Sequence, residues 1–284
     1  MFGKPLDHIQ TITTLSRQEL EDASRQNVKS IYLGEHLLLC KMLTKYKMYV
    51  DSRDVGVVPN LLMDGYWESW ITKFVARVVQ PGNICIDAGA NFGYYSLLMA
   101  ELAGKEGKVL AIEPNSALCR LLRFTSYVNE YSFRVIQKAL SNEAGEITLS
   151  VPVDFWGGGT IRPEKVDDHI TSEQVQMISI DELVEQEGLP RVDFIKMDCE
   201  GVEPAIIYGM ERTLERNPQL KLVMEYSPFM YRDPEGFTRY LFDRFEVGEV
   251  AGDSTVRKYT AEDASYLVSL TGHIDLYLEQ KSAQ

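Results

Sequence analysis

The chain has 284 residues, 45% of them apolar, which is enough to build one large α/β domain with a modest appendage. Its 29 Lys and Arg against 42 Asp and Glu leave a formal charge of −13. A surface this acidic lacks the positive footprint needed to grip a phosphate backbone, so nucleic acid is not an expected partner. The four cysteines, Cys40, Cys85, Cys119 and Cys199, have no metal-ligand spacing and read as reduced. There is no apolar run of membrane-spanning length and no signal-peptide core at the N-terminus, so no membrane insertion and a cytoplasmic setting are expected.

Residues 1–60 read as an N-terminal extension, a lid or a dimerisation arm, and residues 61–284 as the main domain. In the extension, Ser16-Arg17-Gln18-Glu19 is a capping box that opens a helix near Arg17 running to about Gln26. Tyr32 to Leu43 fits strand or helix equally. Tyr46 to Val50 alternates as a strand. A homodimer through this arm is one of the two roles open to it. Ile71, Phe74, Val75 and Val78 then recur at helical spacing after Tyr66-Trp67-Glu68-Ser69-Trp70, and Pro81-Gly82 ends that helix. Trp67 and Trp70 are expected to pack in the core. Glu68 is open to either a solvated helix start or a ligand contact.

Asn83 to Gly93, N-I-C-I-D-A-G-A-N-F-G, organises the rest of the chain. The apolar run Ile84-Cys85-Ile86 predicts a buried strand ending in Asp87, followed by a turn with Gly89, Ala90, Asn91 and Gly93 and then a helix from Tyr94. A strand, glycine turn and helix of this kind bring backbone N–H groups to a nucleotide-like ligand. This turn is not G-x-G-x-x-G, and an acid at the strand tip repels phosphate. It suits a cationic or hydroxyl-bearing ligand such as S-adenosylmethionine, which has a sulfonium, an ammonium and a ribose diol. A second apolar strand, Lys108 to Ile112, leads into Glu113-Pro114-Asn115. Glu113 follows Gly89 by 24 residues, where a carboxylate grips a ribose diol.

A helix to about Asn129 and a third strand, Phe133 to Gln137, come next. The loop beyond that strand, with Ala139 and Leu140, is placed to meet an adenine. Glu146 to Val153 alternates as an extra strand. Phe155-Trp156-Gly157-Gly158-Gly159 reads as a mobile aromatic loop gating a substrate, because three adjacent glycines do not cheaply hold one conformation. Val175 to Ile178 is a short strand. Val192 to Asp198 is the fourth core strand and Leu220 to Tyr226 the fifth, with Asp198 and Glu225 at their ends. A helix over 235–244 and strands near 245–251 and 273–280 complete the sheet. Four acids at strand tips in one crevice call for cations or hydroxyls.

D-A-G-A-N-F-G-Y, E-P-N and I-K-M-D-C-E-G-V-E resemble the FkbM-type family of class I S-adenosylmethionine-dependent methyltransferases, over roughly Tyr66 to Tyr226. The third motif is the most specific. The resemblance implies a Rossmann-like α/β fold with a mostly parallel seven-stranded sheet, helices on both faces and an antiparallel edge. It also implies S-adenosyl-L-methionine as cofactor and O-methylation of a hydroxyl on a sugar, glycan or small natural product. It tilts Glu68 toward a ligand contact. The expected cofactor-binding residues are Glu68, Asp87, Gly89, Ala90, Asn91, Gly93, Glu113, Pro114, Asn115, Ala139 and Leu140. Asp198 is the expected general base, with Glu200 beside it and the loop residue His169 as its rival. A divalent metal on Asp198, Glu200 or Glu225 stays open. An NAD-dependent oxidoreductase and a non-catalytic binding protein that retains the fold are the alternative readings.

Overall fold

In the computed structural model, residues 9–129, 132–159 and 169–281 are described. Helix α1 covers Ile9–Thr14. The capping box starts α2, Arg17–Asn27: Ser16 accepts from the Glu19 amide while the Glu19 carboxylate accepts from the Ser16 amide. Three antiparallel strands follow, β1 (Ser30–Gly34), β2 (Leu37–Met42) and β3 (Tyr46–Asp51). The stretch that fitted strand or helix equally is therefore strand. Pairing decides it, because Cys40 sits opposite Met48 and Met42 opposite Tyr46, so their side chains share one buried face.

Strand β3 lies along the helix formed by Ser116–Val128. The Tyr49 amide donates to Thr125 Oγ1 at 3.0 Å, and the Tyr49 ring meets Phe124 edge-on. Met42, Met48 and Val50 belong to the same apolar cluster as Val109, Leu121 and Leu122. The extension thus shares the core of the main domain.

The chain continues through α3 (Val58–Asp64), α4 (Ser69–Val78), β4 (Ile84–Ala88), α5 (Tyr94–Ala103), β5 (Lys108–Ile112), α6 (Ser116–Val128), β6 (Arg134–Ile136), β7 (Ala139–Leu140), β8 (Gly145–Pro152) and β9 (Ile170–Ile178). Then come α7 (Ile180–Gln186), β10 (Phe194–Met197), α8 (Glu203–Tyr208), α9 (Glu211–Arg216), β11 (Lys221–Tyr226), α10 (Pro234–Arg244), β12 (Phe245–Val250), β13 (Val256–Tyr259), α11 (Ala264–Val268) and β14 (Ile274–Gln280).

The main sheet runs β13-β12-β14-β11-β10-β4-β5-β6. β11, β10, β4, β5 and β6 are parallel; β14, β12 and β13 form the antiparallel edge. The seven expected strands are present, and β13 corrects the count to eight. It is a short outer strand with three of its four residues exposed, so it has no buried alternation to announce it. All five residues of β4 are buried, as a strand covered on both faces requires. One apolar cluster lies on each face of the sheet. From β4 the chain builds outward to β5 and β6, then returns to β10 on the other side. This reversal opens a crevice at the carboxyl end of β4. Strands β7, β9 and β8 form a separate small sheet, and β8 leads the chain into residues 153–159, beside that crevice. Among the described residues no helix is long and apolar enough to cross a membrane.

Candidate active site

A cavity of about 690 Å³ occupies the crevice. Its wall includes Glu68, Asp87, Gly89, Ala90, Asn91, Glu113, Pro114, Asn115, Ala139, Leu140, Asp198 and Glu200. Gly93, expected among the ligand-binding residues, is not on the wall. At φ 93° it turns the chain into α5, and a Cβ there would meet Leu122 Cδ2 at 2.6 Å.

The glycine turn is held to its neighbour by backbone bonds. The amides of Gly89 and Ala90 both donate to the Ile112 carbonyl at 3.0 Å. Asn91, at φ 50°, directs its amide to Glu113 Oε2 at 2.9 Å, and the Asn115 amide donates to Glu113 Oε1 at 2.9 Å. Glu113 is therefore fixed at the end of β5 with both oxygens oriented. Its burial pushes the carboxyl up to about 7, against the opposing pull of the two amides. The Asn115 side chain accepts from the Ala117 and Leu118 amides and starts α6. Asp87 lies inside β4, not beyond its tip. It is 2% exposed, accepts from Ser96 Oγ and is raised to about 6 by burial. Most of its bonding braces α5.

A second group of acids lines the other side. Glu68 precedes α4 at φ 37°, and its Oε2 accepts from the Tyr95 hydroxyl at 2.7 Å. Burial raises its carboxyl, and Lys196 pulls it back down. Asp198 follows β10, with its amide bonded to the Ala88 carbonyl at 3.0 Å and its Oδ2 3.2 Å from Lys196 Nζ. Glu200, held at φ 53°, is pushed up to about 8 by burial and then by the charges of Asp198 and Glu225. A residue with a Cβ keeps that backbone region only when its surroundings impose it. Here Glu203 supplies the constraint. It is fully buried, and its Oε1 accepts from the Cys199 amide at 2.8 Å and the Gly201 amide at 3.3 Å. Burial raises Glu203 to about 7. Burial, with Glu203 and Asp198 nearby, holds the Cys199 thiol well above its ordinary range, so it is no nucleophile.

Several site residues escaped the sequence reading. Lys196, 2% exposed, and His273 lie on the wall, and Asp275 is buried nearby, accepting from Trp70 Nε1 at 3.3 Å. A lysine between Ile195 and Met197 in a strand buried on both faces was the available signal for the first. Trp67 and Trp70 are half-buried; they pack against the core, as expected, and also line the cavity. His169, the rival base, is exposed and off the wall.

The aromatic loop is docked over its described length. Asp54, 1% exposed, accepts the Trp156 amide at 2.9 Å through Oδ2, and the Val57 and Val58 amides through Oδ1. Val55 donates to the Asp154 carbonyl, Trp156 stacks on Phe92, and residues 156–158 form a 3-10 turn. Residues 154–158 are thus tied to Asp54, Val55 and Phe92. Residues 160–168, including Asp167 and Asp168, lie outside the described residues. No group of three or more His, Cys, Asp or Glu side chains placed to hold a metal ion occurs among the described residues.

The sequence pattern described as the Methyltransferase FkbM domain matches residues 87–282, more than half of the chain. The chain belongs to the FkbM methyltransferase family. The chain is 25% identical over 161 residues to Methyltransferase sdnD of Sordaria araneosa, covering 46% of this chain and 62% of that protein. It is 26% identical over 148 residues to the Hexuronic acid methyltransferase AglP of Haloferax volcanii, covering 52% of this chain and 58% of that protein. It therefore spans less than two thirds of either relative's length. The crystal structure of Methyltransferase FkbM from Methylobacillus flagellatus KT aligns at a TM-score of 0.43 and 15% identity, over 78% of this chain and 52% of that one. The matched FkbM region opens at Asp87 and contains the glycine turn, Glu113 and Asp198. Gly56, Trp67 and Glu68 precede it, so the chain adds walls to its cavity from outside the matched region. Family membership displaces the oxidoreductase alternative.

Proposed function

We propose that this methyltransferase uses S-adenosyl-L-methionine to O-methylate a hydroxyl of a sugar, glycan or small natural product. The observation that carries the reading is Glu113, buried at the end of β5 with each oxygen aligned by one backbone amide. A carboxylate oxygen has lone pairs for more than one donor, so Glu113 keeps acceptor capacity for a ribose diol. Ala139 and Leu140 flank the adenine, and the Gly89-Ala90-Asn91 turn, backed by Asp87, faces the methionine portion. When bound, the cofactor supplies an electrophilic methyl on a sulfonium.

The chain's own share is alignment, exclusion of water and removal of one proton. Asp198 takes the proton of the acceptor hydroxyl as its oxygen bonds to the methyl carbon. The sulfonium would keep the electron pair of the carbon–sulfur bond and depart as a neutral thioether, which balances the charge. Glu200 stands beside this carboxylate on the same loop. The sugar class is supported by the relative named for hexuronic acid and by aromatic side chains on the wall, Trp67, Trp70 and Trp156, which suit the apolar faces of sugar rings.

The test has two stages. Calorimetry should show S-adenosylmethionine binding and no NAD binding. Incubation with a panel of hexose and hexuronic acid glycosides should then release S-adenosylhomocysteine with one or more of them. A chain that binds no S-adenosylmethionine would overturn the reading.

A further inference from the structure

Lys196 is a buried cation deep in the site to which the proposed reaction gives no task. It stands in β10, 2% exposed, opposite Asp87 on β4 and Val223 on β11. An ammonium buried in a strand covered on both faces is costly unless charge of the other sign meets it. Here acids surround it. Its Nζ donates to Asp198 Oδ2 at 3.2 Å and lies 5.2 Å from the centre of the Tyr95 ring, whose hydroxyl holds Glu68. Glu68 and Asp87 face it from one side, and Glu225 and Asp275 from β11 and β14 on the other. Glu200 and Glu203 come from the loop and helix that follow, and His273 closes the wall. Burial alone would drive the proton off this ammonium, but Asp198, Glu68, Asp275 and Asp87 hold it firmly on. The influence is mutual: Lys196 draws down the carboxyls of Glu68, Glu225 and Asp275, which burial pushes up.

We propose that Lys196 is a positioning residue for methyl transfer: it anchors the Asp198 carboxylate by one oxygen and leaves the second oxygen to take the acceptor's proton. The inference rests on the reading of Asp198 as the base. Lys196 acts through Asp198. Without the lysine, Asp198 would lose the partner that fixes one of its two oxygens. The geometry explains why a strand otherwise apolar tolerates this residue two positions before the loop acid.

The experiment reads Asp198 directly and needs no acceptor. The full chain is labelled with [γ-13C]aspartate and its carboxyl resonances are followed against pH, with Asp198 identified by the signal lost in Asp198→Asn. Lys196→Gln should raise the pH at which the Asp198 and Asp275 carboxyls take up a proton, by about one unit or more. Lys196→Arg, which keeps the charge, should leave both near their wild-type positions. If Lys196→Gln does not fold, Lys196→Met/Asp275→Asn removes one buried charge of each sign and is read at Asp198 in the same way. A lysine that only holds the fold would lower the melting temperature of both single variants and leave the Asp198 midpoint in place. That result, or an equal displacement in Lys196→Arg, overturns the proposal. Turnover of Asp198→Asn is read separately, on the acceptor found with the glycoside panel. Near-wild-type turnover removes the base and the lysine's part with it. Lost turnover with an unmoved midpoint in Lys196→Gln removes the lysine's part alone.

Discussion

Gly89 and Asp198 touch through their backbones: a Cβ on Gly89 would lie 1.9 Å from the Asp198 carbonyl oxygen. Gly89 also holds φ 79°, where a side chain is strained whatever the space around it. The glycine turn after β4 and the acid after β10 thus form one packed unit, so a change in the turn reaches the proposed base. Gly89→Ala should lower stability by about 2 kcal/mol or more, from backbone strain plus overpacking. Turnover should fall even where S-adenosylmethionine still binds. Denaturant unfolding and calorimetry check both, and a Gly89→Ala protein of wild-type stability would contradict the contact.

Glu113→Ala should weaken S-adenosylmethionine binding about tenfold or more, since hydrogen bonds to a charged partner contribute roughly 1.5–3 kcal/mol. Glu113→Gln keeps an acceptor oxygen for one of the two amides and should weaken binding less. Calorimetric affinity equal to wild type in Glu113→Ala would remove the ribose assignment.

Asp198→Asn preserves shape and removes the proton acceptor. Turnover on the true acceptor should drop by about 10²–10⁴, with cofactor affinity nearly unchanged. Steady-state kinetics beside calorimetry separates the two quantities. A folded variant with undiminished turnover would assign the base elsewhere.

Glu203 makes stability depend on pH. Burial raises its carboxyl in the folded chain to about 7, against about 4.3 for an exposed glutamate. A carboxyl raised in this way favours the folded state while protonated. Its contribution is full below about pH 4 and is lost as pH rises through 7. Glu203→Gln keeps an oxygen for the Cys199 and Gly201 amides and has no charge to bury. Thermal melts should nearly coincide at pH 4, and the variant should melt higher at pH 8, by about 2–4 °C for each kcal/mol regained. Melting curves that separate equally at both pH values would show that the charge is not responsible.

Asp54 joins the extension to the aromatic loop with one buried carboxylate. Asp54→Ala removes the cap of α3 and the acceptor for the Trp156 amide, and should cost about 1–3 kcal/mol. Amide hydrogen exchange over 154–158 should then quicken, while the wild-type Trp156 amide stays protected before any acceptor is bound. Fast exchange of that amide in the wild type would restore the loop as a freely moving gate.

Much of the site was legible because its signals are local. The apolar run of β4, the glycines after it, the acid after β5 and the capping box at Ser16 each depend on residues a few positions apart. The chemistry of Asp198, Glu113 and the turn could be placed at strand ends before any strand was paired.

What only the tertiary structure decided were relationships between distant segments. Strand pairing turned the ambiguous stretch after Tyr32 into β1 and β2, since its preference was set by what lay opposite. Trp67 and Trp70 pack against the core and also line the cavity, because what each face of a ring meets depends on which neighbours arrive. Lys196 was visible as an oddity in an apolar strand, yet its meaning required Asp275 and Glu225, which come to it from β14 and β11. The Asp54–Trp156 bond spans 102 positions and ties the triple-glycine loop to the extension, a contact that no local pattern announces. Sequence patterning determines which short segments become strand, turn or helix. Charge balance and loop order in this protein arise from contacts that close long stretches of chain, and only the packed fold brings those together.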